Sequence, residues 1–105
     1  MTINEFQKEA LRTVSDDSEN VRLMEGLVGL SSEAGEALDI LKKFLFQGHE
    51  LDKEHLAEEL GDVAWYLAVA ADAIGRSLED ILKQNIEKRQ NRYPEGFDSS
   101  RSVNR

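Results

Sequence analysis

The chain lacks cysteine and has a single proline among its 105 residues. The absence of cysteine excludes disulfides and thiolate zinc sites and fits a reducing cytoplasm. Scarce proline, with plentiful alanine, leucine, glutamate and lysine, favours helix. No apolar run approaches the roughly 18 residues of a membrane span, and the opening MTINEFQKEA has no signal-peptide core. We therefore expect an all-α, soluble, cytoplasmic protein.

Positive charge is also scarce. The chain has 13 lysines and arginines against 21 aspartates and glutamates, so its net charge is −8. Duplex nucleic acid and anionic membranes both require a positive contact surface and are therefore not expected partners. A small phosphorylated ligand stays compatible with this charge if metal ions intervene.

Apolar residues at spacings of three and four, flanked by capping residues, predict four helices. A chain of this length is one domain, so we expect a bundle-like helical domain over 1–97 and a polar, mobile tail over 98–105. The predicted helices are EFQKEALRTV after the cap Thr2, about 20–46, about 53–74 between the cap Asp52 and Gly75, and LEDILKQNIEKRQNRY between the cap Ser77 and Pro94.

The second and third predicted helices each carry a main apolar stripe. Glycine inside a helix costs up to about 1 kcal/mol relative to alanine. The glycines of the second helix, Gly26, Gly29 and Gly35, therefore predict close approach of a neighbouring backbone or ligand. The stripes are Leu23, Leu27, Leu30, Ala34, Leu38, Leu41 and Leu45 on the second helix, and Leu56, Leu60, Val63, Ala64, Leu67, Ala71 and Ile74 on the third.

Two pairs of carboxylates interrupt these helices at the same spacing, Glu33 with Glu36 and Glu59 with Asp62. With about 100° of rotation per helical residue, Glu33 and Glu36 lie roughly 100° and 160° around their helix from the centre of its apolar stripe. Glu59 and Asp62 lie roughly 85° and 145° from the centre of theirs. Each helix thus carries a second apolar face that only the carboxylates interrupt. One chain is too short to cover such helices on all sides, so we expect assembly into a dimer or a dimer of dimers.

An isolated pair of carboxylates on a helix is usually a solvated face. Two pairs at matching angles favour instead convergence in a largely apolar groove, where carboxylates raise one another's pKa unless cations hold them. An all-oxygen ligand set suits Mg²⁺ or Mn²⁺ better than zinc or copper.

The order Glu33-x-x-Glu36, 22 residues, then Glu59-x-x-Asp62 within EELGDVAWYL resembles the signature of MazG-like all-α nucleotide pyrophosphohydrolases, relatives of the dimeric all-α dUTPases. The segment NIEKRQNRYPEGF is similar to that group's last helix and the turn after it. The segment NEFQKEALRT is similar to the start of many small single-domain members. Together these similarities span about residues 4–97.

The resemblance implies hydrolysis of a ribo- or deoxynucleoside triphosphate between the α- and β-phosphates, giving a monophosphate and pyrophosphate. Glu33, Glu36, Glu59 and Asp62 would hold Mg²⁺, or Mn²⁺ as a substitute, and water activated by the metal would attack phosphorus. One of the glutamates would also position or deprotonate that water. The chain lacks the tandem second domain of larger members, so the resemblance implies that a partner subunit completes the groove.

The residues that bind the phosphates and the base of the substrate are less clearly indicated. A polar and basic face of the fourth helix can meet the phosphates, although such a face also complements the helix dipole. Aromatic residues and a glutamine can bind the base, although buried aromatics are more often core. The candidates are Asn85, Lys88, Arg92 and Lys43 for the phosphates, and Phe6, Gln7, Trp65 and Tyr66 for the base. His49 and His55 are predicted to be ordinary surface histidines.

Two other functions stay open. The same site can act on another pyrophosphate-linked metabolite, such as phosphoribosyl-ATP. Alternatively, the protein is a non-catalytic helical oligomer whose acidic groove binds a metal or a partner protein. A non-catalytic oligomer would not need the basic face of the fourth helix, so the presence of this face favours the enzyme.

Overall fold

A computed structural model of the chain describes residues 1–14, 18–96 and 99–100. The predicted all-α, four-helix fold is confirmed. The tail predicted over 98–105 lies outside the described residues, apart from 99–100. The helices are α1 (Ile3–Ala10, followed by a 3₁₀ turn over Leu11–Thr13), α2 (Glu19–Phe46), α3 (Lys53–Ala73) and α4 (Leu78–Arg92).

Local capping explains where the helices begin. The side chains of Thr2, Asp52 and Ser77 each accept a hydrogen bond from the backbone N–H three residues later, at 3.1, 3.0 and 3.1 Å. These are the three predicted caps, and each satisfies an otherwise unpaired N–H of the first turn. Ser18 caps α2 in the same way. After α3, Gly75 adopts the left-handed conformation (φ 76°) that ends a helix.

α2 and α3 form an antiparallel pair that packs through its glycines. A Cβ atom on Gly26 would lie 2.8 Å from the backbone nitrogen of Ala70, and one on Gly29 would overlap the Tyr66 ring. The close approach predicted from the glycines is therefore confirmed for Gly26 and Gly29, whereas no described atom lies within 4 Å of the Cβ position of Gly35. The salt bridge between Arg22 and Asp72, at 2.9 Å, ties one end of the pair.

The large residues of the main stripes lie to one side of this contact, whereas Ala71 of the α3 stripe is buried in the core. Because the helices meet along the glycine side, the leucines lie on one open side of the pair. We call this surface the leucine face, and its residues are 38–66% exposed. It consists of Leu27, Leu38, Leu41 and Leu45 of α2 with Leu60, Leu67 and Ile74 of α3.

The core lies on another side of α3, where α1 and the start of α4 pack. It is built mainly from small residues, and no large side chain is fully buried in the described part of the chain. Among the described helices, none is both long and apolar enough to cross a bilayer. The buried cluster contains Ala10, Ala68, Val69, Ala71 and Leu78, with Phe6, Val14, Trp65 and Ile81 packed against it.

The buried amide of Gln7 joins three segments. Its Nε2 atom donates to the carbonyls of Ala68 (3.1 Å) and Arg76 (3.3 Å), and its Oε1 atom accepts from the N–H of Leu78 (3.0 Å). These bonds fix the α3–α4 turn against α1. Beyond its first turn α4 is exposed as far as Asn91, including Ile86 at 56%.

Substituting alanine at two glycines of α2 should give opposite changes in stability. Gly26→Ala should destabilise the protein by about 1–3 kcal/mol, because the new methyl group meets the Ala70 backbone. Gly35→Ala should stabilise it by up to about 1 kcal/mol, because nothing described lies within 4 Å of its Cβ position. Urea unfolding of both variants measures the difference, and equal effects would contradict the packing described for Gly26.

Candidate metal centre

Three of the four predicted carboxylates converge between α2 and α3. One oxygen from each of Glu33, Glu59 and Asp62 lies within 4.8 Å of the others. Glu33 lies in the middle of α2, whereas Glu59 and Asp62 lie one turn apart on α3. The antiparallel contact between the two helices continues from Gly29 to this position. Glu36 is exposed and lines an adjoining cleft with Glu59.

Two oxygens at this centre are buried without a partner. Within the part of the chain that the structure describes, Oε2 of Glu33 and Oε2 of Glu59 accept no hydrogen bond. Glu59 is only 7% exposed. A buried carboxylate oxygen without a partner is costly, and a cation would remove that cost. The donor set, all carboxylate oxygens, fits a hard divalent ion.

Glu33 and Glu59 titrate as a pair. The close contact with the Glu59 carboxyl group, followed by burial and the nearby Glu36, raises the pKa of Glu33 to about 7. The same contact with Glu33, with contributions from Glu36 and His55, lowers the pKa of Glu59. Below about pH 7, the metal-free protein therefore holds a proton on Glu33.

Metal affinity should increase as the pH rises to about 7, because a cation must displace the proton of Glu33. Below that pH we expect the Mn²⁺ affinity to fall by about tenfold per pH unit, as one proton is released for each ion bound. Calorimetric titration with Mn²⁺ over a pH series measures this slope. Glu33→Gln should flatten it, and a constant wild-type affinity would contradict a proton held by Glu33.

The same proton affects the metal-free fold. The folded-state pKa of Glu33 is raised above the usual 4.5. The folded protein therefore keeps a proton that the unfolded chain loses, and stability falls as the pH rises from about 4.5 to about 7. Above that range this contribution is constant.

A cleft of about 260 Å³ adjoins the centre, between the end of α2 and the start of α3. His55 lies in this cleft, and its Nε2 atom is 3.2 Å from Oε1 of Glu59. The sequence predicts an ordinary surface histidine at His55, and its side chain is 52% exposed. The signal that was missed is its spacing of four residues before Glu59, which places both side chains on one helix face.

The predicted phosphate-binding residues do not belong to the carboxylate group, although Lys43 lines the adjoining cleft with Glu36 and Glu59. Lys43 pairs with Asp39 at 3.1 Å. Asn85 accepts a hydrogen bond from Arg89 at 3.2 Å. Lys88 is exposed and Arg92 is half-buried, on a helix that packs mainly on α1 and α3.

The predicted base-binding residues take part in packing. The rings of Phe6 and Trp65 meet edge to face with their centres 6.1 Å apart. Tyr66 covers Gly29, and the amide of Gln7 is hydrogen-bonded to backbone. A role of these four in base binding stays a prediction.

Comparison with known proteins agrees with this geometry. The family profile described as MazG nucleotide pyrophosphohydrolase domain matches residues 23–97. The Gene 37 protein of Mycobacterium phage L5 is 33% identical over 82 residues, which cover 74% of this chain and 72% of the phage protein. The uncharacterised protein YvdC of Bacillus subtilis (strain 168) is 46% identical over 41 residues, 39% of each chain. No solved structure matches.

An all-α fold with carboxylates converging between two antiparallel helices defines a class of candidate metal-dependent enzymes. Since the profile covers well over half of the chain, the chain belongs to the MazG nucleotide pyrophosphohydrolase family. Membership indicates nucleotide pyrophosphohydrolase activity, and enzymes of this family generally depend on a divalent metal.

Proposed function

We propose that the protein is a Mg²⁺-dependent nucleoside triphosphate pyrophosphohydrolase that cleaves between the α- and β-phosphates, with Mn²⁺ as a substitute for Mg²⁺. The observation that carries this proposal is the group formed by Glu33, Glu59 and Asp62, with its two partnerless buried oxygens. Family membership supports the reaction class. The net charge of −8 and the lack of cysteine support a cytoplasmic enzyme that acts on nucleotides rather than on duplex nucleic acid.

The carboxylates have distinct roles in this proposal. When bound, a divalent ion neutralises charge on the phosphates and lowers the pKa of a coordinated water. Glu33, Glu59 and Asp62 hold the ion, and Glu33 gives up its proton when the ion binds. Glu36 is exposed and lies beside Glu33, where it is placed to join the ligands or to accept a proton from the attacking water. Serine or cysteine nucleophiles are not required.

The phosphate tail needs polar and cationic partners, for which we propose Lys43 together with Asn85, Lys88 and Arg92 of α4. The last three residues lie at i, i+3 and i+7 on α4 and so share one side of the helix. Leu82 and Ile86 of the same helix are 39% and 56% exposed, so α4 has apolar surface left to pack on a further element. A partner subunit that packs on this apolar surface would place the basic side of α4 next to a substrate.

We further propose that a second copy of the chain covers the leucine face. Its seven exposed leucine and isoleucine side chains, in a chain whose described part fully buries no large residue, support this assembly. By helix geometry, Glu36 and Asp62 lie roughly 160° and 145° from the stripes of their helices. A partner on the leucine face therefore leaves the carboxylates accessible to nucleotide.

Incubation of the purified protein with each common ribo- and deoxynucleoside triphosphate and Mg²⁺, followed by anion-exchange analysis, tests the function. We expect nucleoside monophosphate and pyrophosphate, abolished by a chelator. Nucleoside diphosphate with orthophosphate would show a different cleavage position. No turnover of any nucleotide would refute the proposed substrate class and favour another pyrophosphate-linked metabolite or a non-catalytic groove.

A further inference from the structure

The histidine in the cleft adjoining the metal centre has a specific contact. His55 lies one helical turn before Glu59 on α3, with its Nε2 atom 3.2 Å from Oε1 of Glu59. We propose that His55 is a positioning residue that holds the Glu59 carboxylate in the orientation presenting Oε2 to a divalent cation. This role rests on the metal site of the proposed function and adds a residue that supports it.

The two oxygens of Glu59 have different surroundings. Oε1 is in contact with His55, whereas Oε2 is buried and has no hydrogen-bond partner among the described residues. The Glu59 carboxyl group also belongs to the set with oxygens of Glu33 and Asp62 within 4.8 Å of one another. With Oε1 occupied, Oε2 is the oxygen left for a cation. The contact with His55 thus selects which oxygen becomes the ligand.

A neutral imidazole is sufficient for this role. It donates from one ring nitrogen and leaves the other unprotonated. When Nε2–H points to Glu59, Nδ1 can face water, because the His55 side chain is 52% exposed. A ligand already held in one rotamer loses less conformational freedom when it binds the ion. Hydrogen bonds of this kind to metal ligands typically change metal affinity by about 10–100-fold.

The second histidine of the chain is a matched control. His49 lines the same cleft, and its backbone N–H donates to the carbonyl of Lys43 at 3.2 Å. Within the described part of the chain, its imidazole makes no observed hydrogen bond or ion pair. Removing this ring deletes a histidine from the cleft and leaves the contact with Glu59 intact.

Mn²⁺ binding to the full-length protein tests the proposal independently of catalysis. The dissociation constant is measured by calorimetry at about pH 8, where imidazole is largely neutral, for wild type, His55→Ala, His55→Leu, His55→Gln and His49→Ala. Circular dichroism checks the fold of each. His55→Leu keeps side-chain bulk without a donor, whereas the amide of His55→Gln can donate to a carboxylate four residues later.

We expect His55→Ala and His55→Leu to weaken Mn²⁺ binding by about tenfold or more, His55→Gln to restore most of the affinity, and His49→Ala to match wild type. Unchanged affinity in His55→Leu, equal weakening in His49→Ala, or no Mn²⁺ binding by wild type would overturn the role of His55. The nucleotide assay reports separately on the enzyme. The expected Mn²⁺ pattern without nucleotide turnover would support His55 as a positioning residue and refute the proposed function.

Discussion

Replacing Asp62 by asparagine should lower kcat/KM for nucleotide hydrolysis on the order of a thousandfold, because metal ligands contribute several kcal/mol to stabilising the charge of the transition state. The fold should survive, since Asp62 is exposed and, among the described residues, its side chain makes no hydrogen bond or salt bridge. Removing one negative charge from the carboxylate group also reduces its repulsion. Turnover is measured at saturating Mg²⁺, and folding by circular dichroism and thermal unfolding.

A neighbouring carboxylate provides the matched control for Asp62. Glu58 lies on the same helix and is exposed, but it does not belong to the group of oxygens. Glu58→Gln makes the same change of charge and should keep near wild-type turnover. Full activity in Asp62→Asn, or an equal loss in Glu58→Gln, would remove the basis for assigning Asp62 as a ligand.

Replacing Leu41 by glutamate should separate the subunits. Leu41 lies within the leucine face, and an uncompensated charge buried in a contact costs about 3–5 kcal/mol. That cost weakens the dimer by about 10²–10⁴-fold in dissociation constant. Sedimentation velocity over a concentration series measures the change, and a larger fraction of monomer is expected at every concentration.

The control for Leu41 is an apolar residue elsewhere on α2. Val28 is 61% exposed and lies roughly 140° around the helix from Leu41. Val28→Glu adds the same charge outside the leucine face and should leave a dimer. If Val28→Glu dissociated the dimer and Leu41→Glu did not, the interface would lie on the Val28 side of α2, and the proposed interface on the leucine face would be wrong.

The limits of the helices were predictable because their signals are local. Thr2, Asp52 and Ser77 act as caps where the sequence placed them, and Gly75 ends α3. The first helix differs most, since it begins at Ile3 and is followed by a 3₁₀ turn, while the limits of the other three agree within one residue. A capping side chain accepts a hydrogen bond from an N–H three residues away, so a few neighbouring residues are enough to predict where a helix begins.

The packing of α2 was less predictable, because this helix carries two apolar faces. The leucine stripe is the stronger pattern, yet Gly26 and Gly29 decide the contact with α3 by allowing close approach to Ala70 and Tyr66. The glycines indicated such an approach but not its partner. Gly35 shows the limit of this signal, since no described atom lies near its Cβ position.

The candidate site was predictable as far as helix geometry determined it. Matching angles on two helices anticipated the convergence of Glu33, Glu59 and Asp62. The contact between His55 and Glu59 was missed because a histidine beside a polar turn usually faces solvent. The sequence does not determine where the basic residues of α4 lie relative to the carboxylates, because their positions depend on how α4 packs.

The long sequence separation of the Gln7 bonds favours a particular order of folding. They join residues 61, 69 and 71 positions apart along the chain, whereas α2 and α3 are consecutive helices separated by a short turn. Closing a long loop costs more entropy than closing a short one, so the α2–α3 hairpin should form before α1 docks. The carboxylates of the metal centre all belong to that hairpin. The site can therefore assemble early, while the start of α4 becomes fixed only in the last step, when the first helix of the chain arrives.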